Sequence, residues 1–394
     1  MFSQLPMYQQ KGALAYRPDL SRMRDFCHQL DNPQDQIKTI HIAGTNGKGS
    51  TSHMMAAVLQ EHGYRVGLYT SPHLKDYRER IRINGQPIQK DYVVEFVQKN
   101  RLYMESHALS FFEMTVGLAF SYFYQKKVDI AVVEVGMGGR LDCTNLISPE
   151  LSIITNIGKD HTQFLGESLE EIAGEKAGII KPNVPVIIGQ TQAETQNVFI
   201  QKAHAMHSKI VFADQCKPHV YASDLKGYYQ QLNLQTVAVA LDHLRGFSLR
   251  TEKIKRGLLQ VVATTGILGR WQSLGQMPLV VADVAHNKEG LNQIIPQIEA
   301  QQYKKLHLVL GFVKEKSLYD LLKIFPSHAH FYLCMPQIPR GLPVEQLAAA
   351  AEELHLMHSV FSNPRQALEA AKKTAHAHDF IFVGGSTFVV AEIL

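Results

Sequence analysis

Cysteine is scarce in this chain of 394 residues: Cys27, Cys143, Cys216 and Cys334 are its only four, and no two form a CxxC pair. That spacing excludes a zinc ribbon or a disulfide framework and fits a reducing compartment. Charge of one sign is also scarce. The 40 Lys and Arg against 36 Asp and Glu leave a net +4, and no basic block is interleaved with aromatics, so nucleic acid is not an expected partner. No apolar run reaches membrane-spanning length, and no membrane partner is expected. Residues 1–20 lack the charged start and apolar core of a secretory signal, so a cytoplasmic location is expected. A mildly basic chain still suits anionic small substrates.

What is present is an ordinary globular composition, 45% apolar and 19% charged, in a chain too long for one core. Short β-rich runs at residues 39–43, 66–70, 130–135, 151–156 and 186–188 alternate with helical periods. Those helices are expected at 19–30, 51–62, 90–106, 115–126, 168–177 and 194–207. Alternation of this kind predicts a mostly parallel sheet with helices on both faces, and ligands at the carboxyl ends of its strands. The pattern weakens from Cys216 to Tyr229, and a helix follows at 232–244. The glycines of Thr264-Thr265-Gly266-Ile267-Leu268-Gly269 then suggest a hinge. Beyond it, strands are expected at 279–283, 306–310, 331–334 and 380–383, with helices at 290–300, 317–324, 344–354 and 364–377. The expected fold is α/β: a larger domain over residues 1–266 with a mostly parallel sheet, then a smaller Rossmann-like α/β domain over 267–394.

The loop Gly44-Thr45-Asn46-Gly47-Lys48-Gly49-Ser50 links the first strand to the first long helix. A Gly-rich turn between strand and helix exposes backbone N–H groups at the positive end of the helix. With a lysine and a hydroxyl beside them, such a corner binds polyphosphate and Mg²⁺. Only Thr45 and Asn46 separate Gly44 from the Gly47-Lys48 pair, and Gly49 intervenes before Ser50, so the loop departs from the usual P-loop spacing.

Other strand ends carry polar groups. Thr70-Ser71-Pro72-His73 reads either as a cation-ligating loop or as a plain turn. Glu134 interrupts an apolar strand, where a carboxylate is costly unless it meets a cation or a buried salt bridge. Arg140 and Asp142 follow it and can pair with each other. His161 lies past the fourth strand, as a cation ligand or simply a polar residue. Lys176 stands in Gly174-Glu175-Lys176-Ala177-Gly178, where a solvated charge pair is the alternative. In the second domain, Gly269-Arg270-Trp271-Gln272 follows the hinge, and Asp283-Val284-Ala285-His286-Asn287, Gly311–Lys316 and Gly384-Gly385-Ser386 each close a strand.

Taken in order, these motifs, with Phe111-Phe112-Glu113-Met114-Thr115, resemble the folylpolyglutamate synthases and dihydrofolate synthases, relatives of the Mur peptide ligases. The inserted Gly49 and the Thr-Ser-Pro-His segment point to the folate branch. The resemblance implies an ATP-dependent amide ligase. It would add L-glutamate to dihydropteroate, or to the γ-carboxyl of reduced folates, through an acyl phosphate, giving ADP and phosphate. It implies ATP binding by Gly44, Thr45, Asn46, Gly47, Lys48, Gly49 and Ser50, with Asn233, Arg270, Asp283 and His286. Ser50, Ser71, Glu134 and His161 match the metal ligands, for two Mg²⁺ ions. Lys48, Glu134, His161 and Lys176 match the catalytic set, with Lys176 carried as a carbamate in many members. Phe112, Arg140 and Asp142 match the folate site. The same resemblance implies a monomer whose two domains close over the substrates. Cys143 stands where many relatives carry alanine or serine, and the stretch between His161 and Asn233 is shorter than in many members, so no residue between 189 and 227 is assigned.

Overall fold

Strand β1 (Thr39–Ala43) is buried along its whole length and leads directly into the Gly44 loop and helix α2 (Lys48–Glu61). The computed structural model describes residues 19–314 and 318–394, and the chain divides into two units. Unit 1 runs to Asp224 and resumes over Gln230–Ile267; unit 2 comprises Leu225–Tyr229 and Leu268–Leu394.

Unit 1 opens with α1 (Ser21–Gln29), followed after β1 and α2 by β2 (Val66–Tyr69), β3 (Ile81–Ile83) and β4 (Gln86–Pro87). Next come α3 (Lys90–Ser106), α4 (Phe111–Gln125), β5 (Ile130–Glu134), β6 (Leu151–Ile154), α5 (Thr162–Leu165) and α6 (Leu169–Ala177). The unit ends with β7 (Val186–Ile188), α7 (Gln196–Ala205), β8 (Ile210–Phe212), α8 (Gln230–His243), α9 (Thr251–Leu258) and α10 (Val261–Thr265). The sheet order is β4-β3-β2-β5-β1-β6-β7-β8, parallel except for the β2/β3 and β3/β4 pairs. β1 pairs with β5 on one side and β6 on the other, so its carboxyl end lies at the centre of the sheet. That is where doubly wound sheets bind ligands.

Helix α2 is buried from Ser50 to Leu59, packed between the sheet and helices α8, α9 and α10. Gly257 of α9 permits the close approach, because a Cβ there would press on the Val58 backbone. A helix enclosed on all sides keeps its first turn fixed, which matters for the loop in front of it.

Unit 2 comprises β9 (Gln272–Gln276), β10 (Leu279–Ala282), α11 (Lys288–Glu299), β11 (Leu306–Leu310), α12 (Leu318–Leu322), β12 (His330–Cys334), α13 (Val344–Glu353), β13 (His358–Phe361), α14 (Pro364–Thr374), β14 (Phe380–Gly384) and α15 (Thr387–Ile393). Its sheet order is β13-β12-β11-β14-β10-β9, with only β9 antiparallel. The core joins Trp271, Leu291, Ile294, Leu308, Phe331 and Phe382.

The expected elements at 39–43, 90–106, 186–188 and 306–310 appear with those bounds, and most others shift by a few residues at their ends. The helix expected at 115–126 starts earlier, at Phe111, because Ser110 and Glu113 form a capping box. Strands β3, β4, β8, β9 and β13 and helices α5, α9, α10 and α15 were not expected. The glycine cluster near residue 266 is in part a helix end: Gly266 has φ 68° and caps α10 in the left-handed region. The expected helix start at Ser317, Glu315-Lys316 of the strand-end loop, and residues 1–18 of the N-terminal segment lie outside the described residues. The four cysteines are free, and among the described residues no helix is long and apolar enough to cross a membrane.

Candidate active site

Two glycines shape the Gly44–Ser50 loop. Gly44 has φ 145° and Gly47 has φ 85°, both in the region that disfavours a side chain. A Cβ on Gly44 would strike the Thr155 side chain, and one on Gly47 would strike Asn233. Gly47 is the N-cap of α2, and the first intrahelical bond runs from Thr51 N to Gly47 O at 2.9 Å. The amides of the first turn therefore face outward from the helix start, together with its positive dipole end.

Residues following β6 brace the loop. Asn156 accepts Thr45 N through its carbonyl and Asn46 N through Oδ1, both at 2.9 Å. Thr155 Oγ1 donates to Asn46 O at 2.6 Å, and Gly158 N donates to Thr45 Oγ1 at 2.9 Å. Sequence reasoning singled out only His161 beyond this strand and missed the bracing role of Thr155, Asn156 and Gly158; their polar groups at the strand end were the available signal.

Lys48 Nζ curls back to the carbonyls of Gly44, at 2.9 Å, and Thr45, at 3.0 Å. Lys176, near the end of α6, donates to the same Gly44 carbonyl at 3.0 Å and is only 4% exposed. Burial, reinforced by the Lys48 charge, pulls the Lys176 pKa down to about 7. Its predicted alternative as a solvated charge pair is thus overturned by burial in the last turn of a helix fixed by the Ser168–Glu171 capping box.

Ser50 Oγ is buried and accepts from Gln230 Nε2 at 3.1 Å, while Gln230 Oε1 accepts from Asn233 Nδ2 at 2.8 Å. Asn233 thus stands beside the loop, and Gln230, to which sequence reasoning gave no role, links it to Ser50. Glu134 ends β5, 4% exposed, and its Oε2 accepts Ser71 N at 3.3 Å. The Ser71–Pro72 peptide is cis. Nearby, Arg80 is buried. It donates through Nε to His73 Nδ1 at 2.8 Å and lies over the Phe111 ring; burial disfavours its charge, with Tyr69, Tyr77 and Glu134 opposing. His161 caps α5 with φ 52°, an uncommon conformation for a residue with a side chain, and its ring lies 3.8 Å from Asp160.

The segment after β5 gathers the remaining candidates. Phe112 and Asp142 meet at Gly136, where a Cβ would collide with the Phe112 ring and lie 3.1 Å from Asp142 Oδ2. Tyr69 packs edge-on against Phe112. Arg140 and Asp142 do not pair with each other as one sequence reading allowed. Arg140 is exposed and binds Glu175 at 2.7 Å, while Asp142 is buried and accepts from Thr144 and from Met137 N. Burial pushes the Asp142 carboxyl upward, against the pull of those hydrogen bonds.

In unit 2, Asp283 is buried and accepts three donors: Tyr229 OH at 2.7 Å, Trp271 N at 2.8 Å and Ala285 N at 2.9 Å. Burial raises its pKa, with the Arg270 charge opposing. It holds Trp271, whose φ is 46°, in the left-handed region. His286 Nδ1 lies 3.1 Å from Val284 O, and Asn287 caps α11 by accepting Gly290 N.

Among the described residues, no three His, Cys, Asp or Glu side chains cluster closely enough to hold a metal by themselves. The donors on offer are hydroxyls, one buried carboxylate and one imidazole. That set fits a hard cation whose remaining oxygens come from nucleotide phosphate and water, as Mg²⁺ sites commonly arrange.

Comparison with known proteins returned two matching families: the Mur ligase middle domain over residues 42–251, and the Mur ligase, glutamate ligase domain over residues 269–387. The Escherichia coli dihydrofolate synthase/folylpolyglutamate synthase is 32% identical, over 90% of this chain and 85% of its own. A Haloferax volcanii protein named "Probable bifunctional folylpolyglutamate synthase/dihydropteroate synthase" is 32% identical over 95% of this chain, which spans only about half of that protein (48%). A crystal structure of a bifunctional folylpolyglutamate synthase/dihydrofolate synthase with Mn, AMPPNP and L-glutamate bound superposes with a TM-score of 0.85. That protein is 29% identical, with 96% of this chain and 94% of the other covered.

Proposed function

The chain belongs to the Mur ligases, on their folylpolyglutamate synthase/dihydrofolate synthase branch, and on that premise we propose that it joins L-glutamate to dihydropteroate and to reduced folates at the expense of ATP. The observation that carries this reading is the convergence of Lys48 and Lys176 on the Gly44 carbonyl, in a glycine loop at the centre of the sheet.

A carboxylate does not react with an amine in water, because its oxygen is a poor leaving group. Attack of the acceptor carboxylate on the γ-phosphorus of ATP gives an acyl phosphate and ADP. The glutamate amine then attacks the acyl carbon and phosphate departs. The first-turn amides and Lys48 hold and neutralise the phosphates, so positioning and electrostatics supply most of the catalysis. Lys48 must leave its loop carbonyls to do so, and its position at the first residue of a buried helix limits where it can go.

Mg²⁺, when bound, neutralises charge on the transferred phosphoryl group. Ser50, Ser71, Glu134 and His161 would hold it, as two ions. A buried amine with a pKa near 7 is neutral often enough to take up CO2, which supports a carbamate at Lys176. Phe112, Arg140 and Asp142 would receive the acceptor. In unit 2, Arg270 and His286 would serve the nucleotide, with Asp283 fixing their loop. We further propose a monomer in the cytoplasm, consistent with free cysteines.

The test offers purified protein ATP, glutamate and either dihydropteroate or tetrahydrofolate, with products read by mass. ADP release that needs both glutamate and acceptor supports the reading. ADP release indifferent to glutamate points instead to a nucleotide-binding module and sinks it.

A further inference from the structure

We propose that His41 and Thr144 are positioning residues that fix the Asp142 carboxylate so that its Oδ2 is presented to the acceptor; this rests on the reading that Asp142 meets the acceptor. His41 lies in the middle of β1, fully buried between β5 and β6, a costly place for an imidazole. Its Nε2 is 2.9 Å from Thr144 Oγ1, which in turn is 2.5 Å from Asp142 Oδ1.

The directions of these bonds follow from counting protons. Asp142 Oδ1 accepts Thr144 N at 3.0 Å and Oδ2 accepts Met137 N at 2.9 Å, so both carboxylate oxygens act as acceptors. The single hydroxyl proton of Thr144 goes to Oδ1. Thr144 Oγ1 must then accept from His41, which fixes the proton of that ring on Nε2. His41 Nδ1 is buried without a hydrogen-bond partner. The ring therefore delivers one donor and bears the cost of one bare acceptor, a poor bargain for packing alone.

The relay engages Oδ1 twice, while Oδ2 accepts Met137 N and lies on the side where Gly136, whose amide also bonds this carboxylate, and Phe112 meet. A flat heteroaromatic ring against Phe112 would offer its ring or amino N–H to that oxygen. Without the Thr144 hydroxyl the carboxylate can rotate, and the acceptor loses a prepaid orientation.

Steady-state kinetics with dihydropteroate or tetrahydrofolate as acceptor test this. Thr144→Val should raise the acceptor KM about tenfold or more, as loss of a charge-assisted hydrogen bond implies. The kcat at saturating acceptor and the KM for ATP should stay within about twofold, since the lost bond orients the acceptor partner only. Thr144→Ser and His41→Gln, which keep the hydroxyl and the N–H, should behave as wild type, while His41→Leu should follow Thr144→Val. In the unsubstituted protein, ¹⁵N imidazole shifts should report the Nε2–H tautomer for His41, a readout independent of any variant that fails to fold. Raised KM in Asp142→Asn with an unchanged KM in Thr144→Val overturns the relay alone, as does an Nδ1–H tautomer. An unchanged acceptor KM in Asp142→Asn overturns the acceptor site and the relay with it.

Discussion

Lys176 Nζ donates to the carbonyl of Gly44 at 3.0 Å, which ties the end of α6 to the first residue of the glycine loop. Its partner is a carbonyl, not a carboxylate; burial disfavours its charge and Lys48 repels it further, which together outweigh the opposing pull of Asp160, Asp142 and Glu175. A pKa of about 7 leaves roughly half of the amine neutral near pH 7. Incubation with ¹³C-bicarbonate should therefore give a carbamate carbonyl signal that Lys176→Ala lacks. Turnover of Lys176→Ala should recover in part with an added small carboxylic acid. No rescue at any concentration counts against the carbamate.

Lys48→Ala and Glu134→Ala should each lower ligase turnover by about a hundredfold or more, the scale of removing one preorganised charge-stabilising group. Neither side chain carries the core, so circular dichroism and the cooperativity of melting should persist. Near-normal turnover in either variant would remove it from the site.

Much of the fold was legible because the central strands of unit 1 are short apolar runs separated by helical periods. The edges were not. β13 is half-exposed and β3 carries the buried Arg82, so neither shows the apolar run that marks a central strand. β9 alternates around Gly275 at the far edge and looks like a loop in sequence. In the site, Gly44, Lys48 and Glu134 announce themselves by chemistry at strand ends. Gln230, Asn156 and Thr144 do not, because their roles are hydrogen bonds to partners about 100 or more positions away, set by tertiary placement.

Gly136→Ala should damage the acceptor site selectively. Its added methyl would displace the Phe112 ring and crowd Asp142 Oδ2. Overpacking of this kind costs about 1–3 kcal/mol where the neighbours cannot move, and Phe112 is only partly buried, so the ring should shift. We expect a raised acceptor KM with the ATP KM little changed. Equal losses for both substrates would show that residue 136 reports on the sheet and not on the acceptor.

The burial of His41 makes unit 1 sensitive to acid in a definite direction. Burial, with a contribution from Lys181, depresses its pKa to about 3 from an unfolded value of 6.5. Above pH 6.5 the imidazole is neutral in both states and contributes no pH dependence. Below it, the unfolded chain binds a proton that the folded chain refuses, so stability falls by about 1.4 kcal/mol per pH unit, or roughly 3 kcal/mol by pH 4. Carboxylates also titrate in this range, so the measurement is a difference between two proteins. Urea unfolding between pH 7 and 4 should show the unsubstituted protein losing stability relative to His41→Gln as the pH falls, since only the former bears this term. Parallel curves across the range would mean that the folded state protonates His41 as readily as the unfolded chain does.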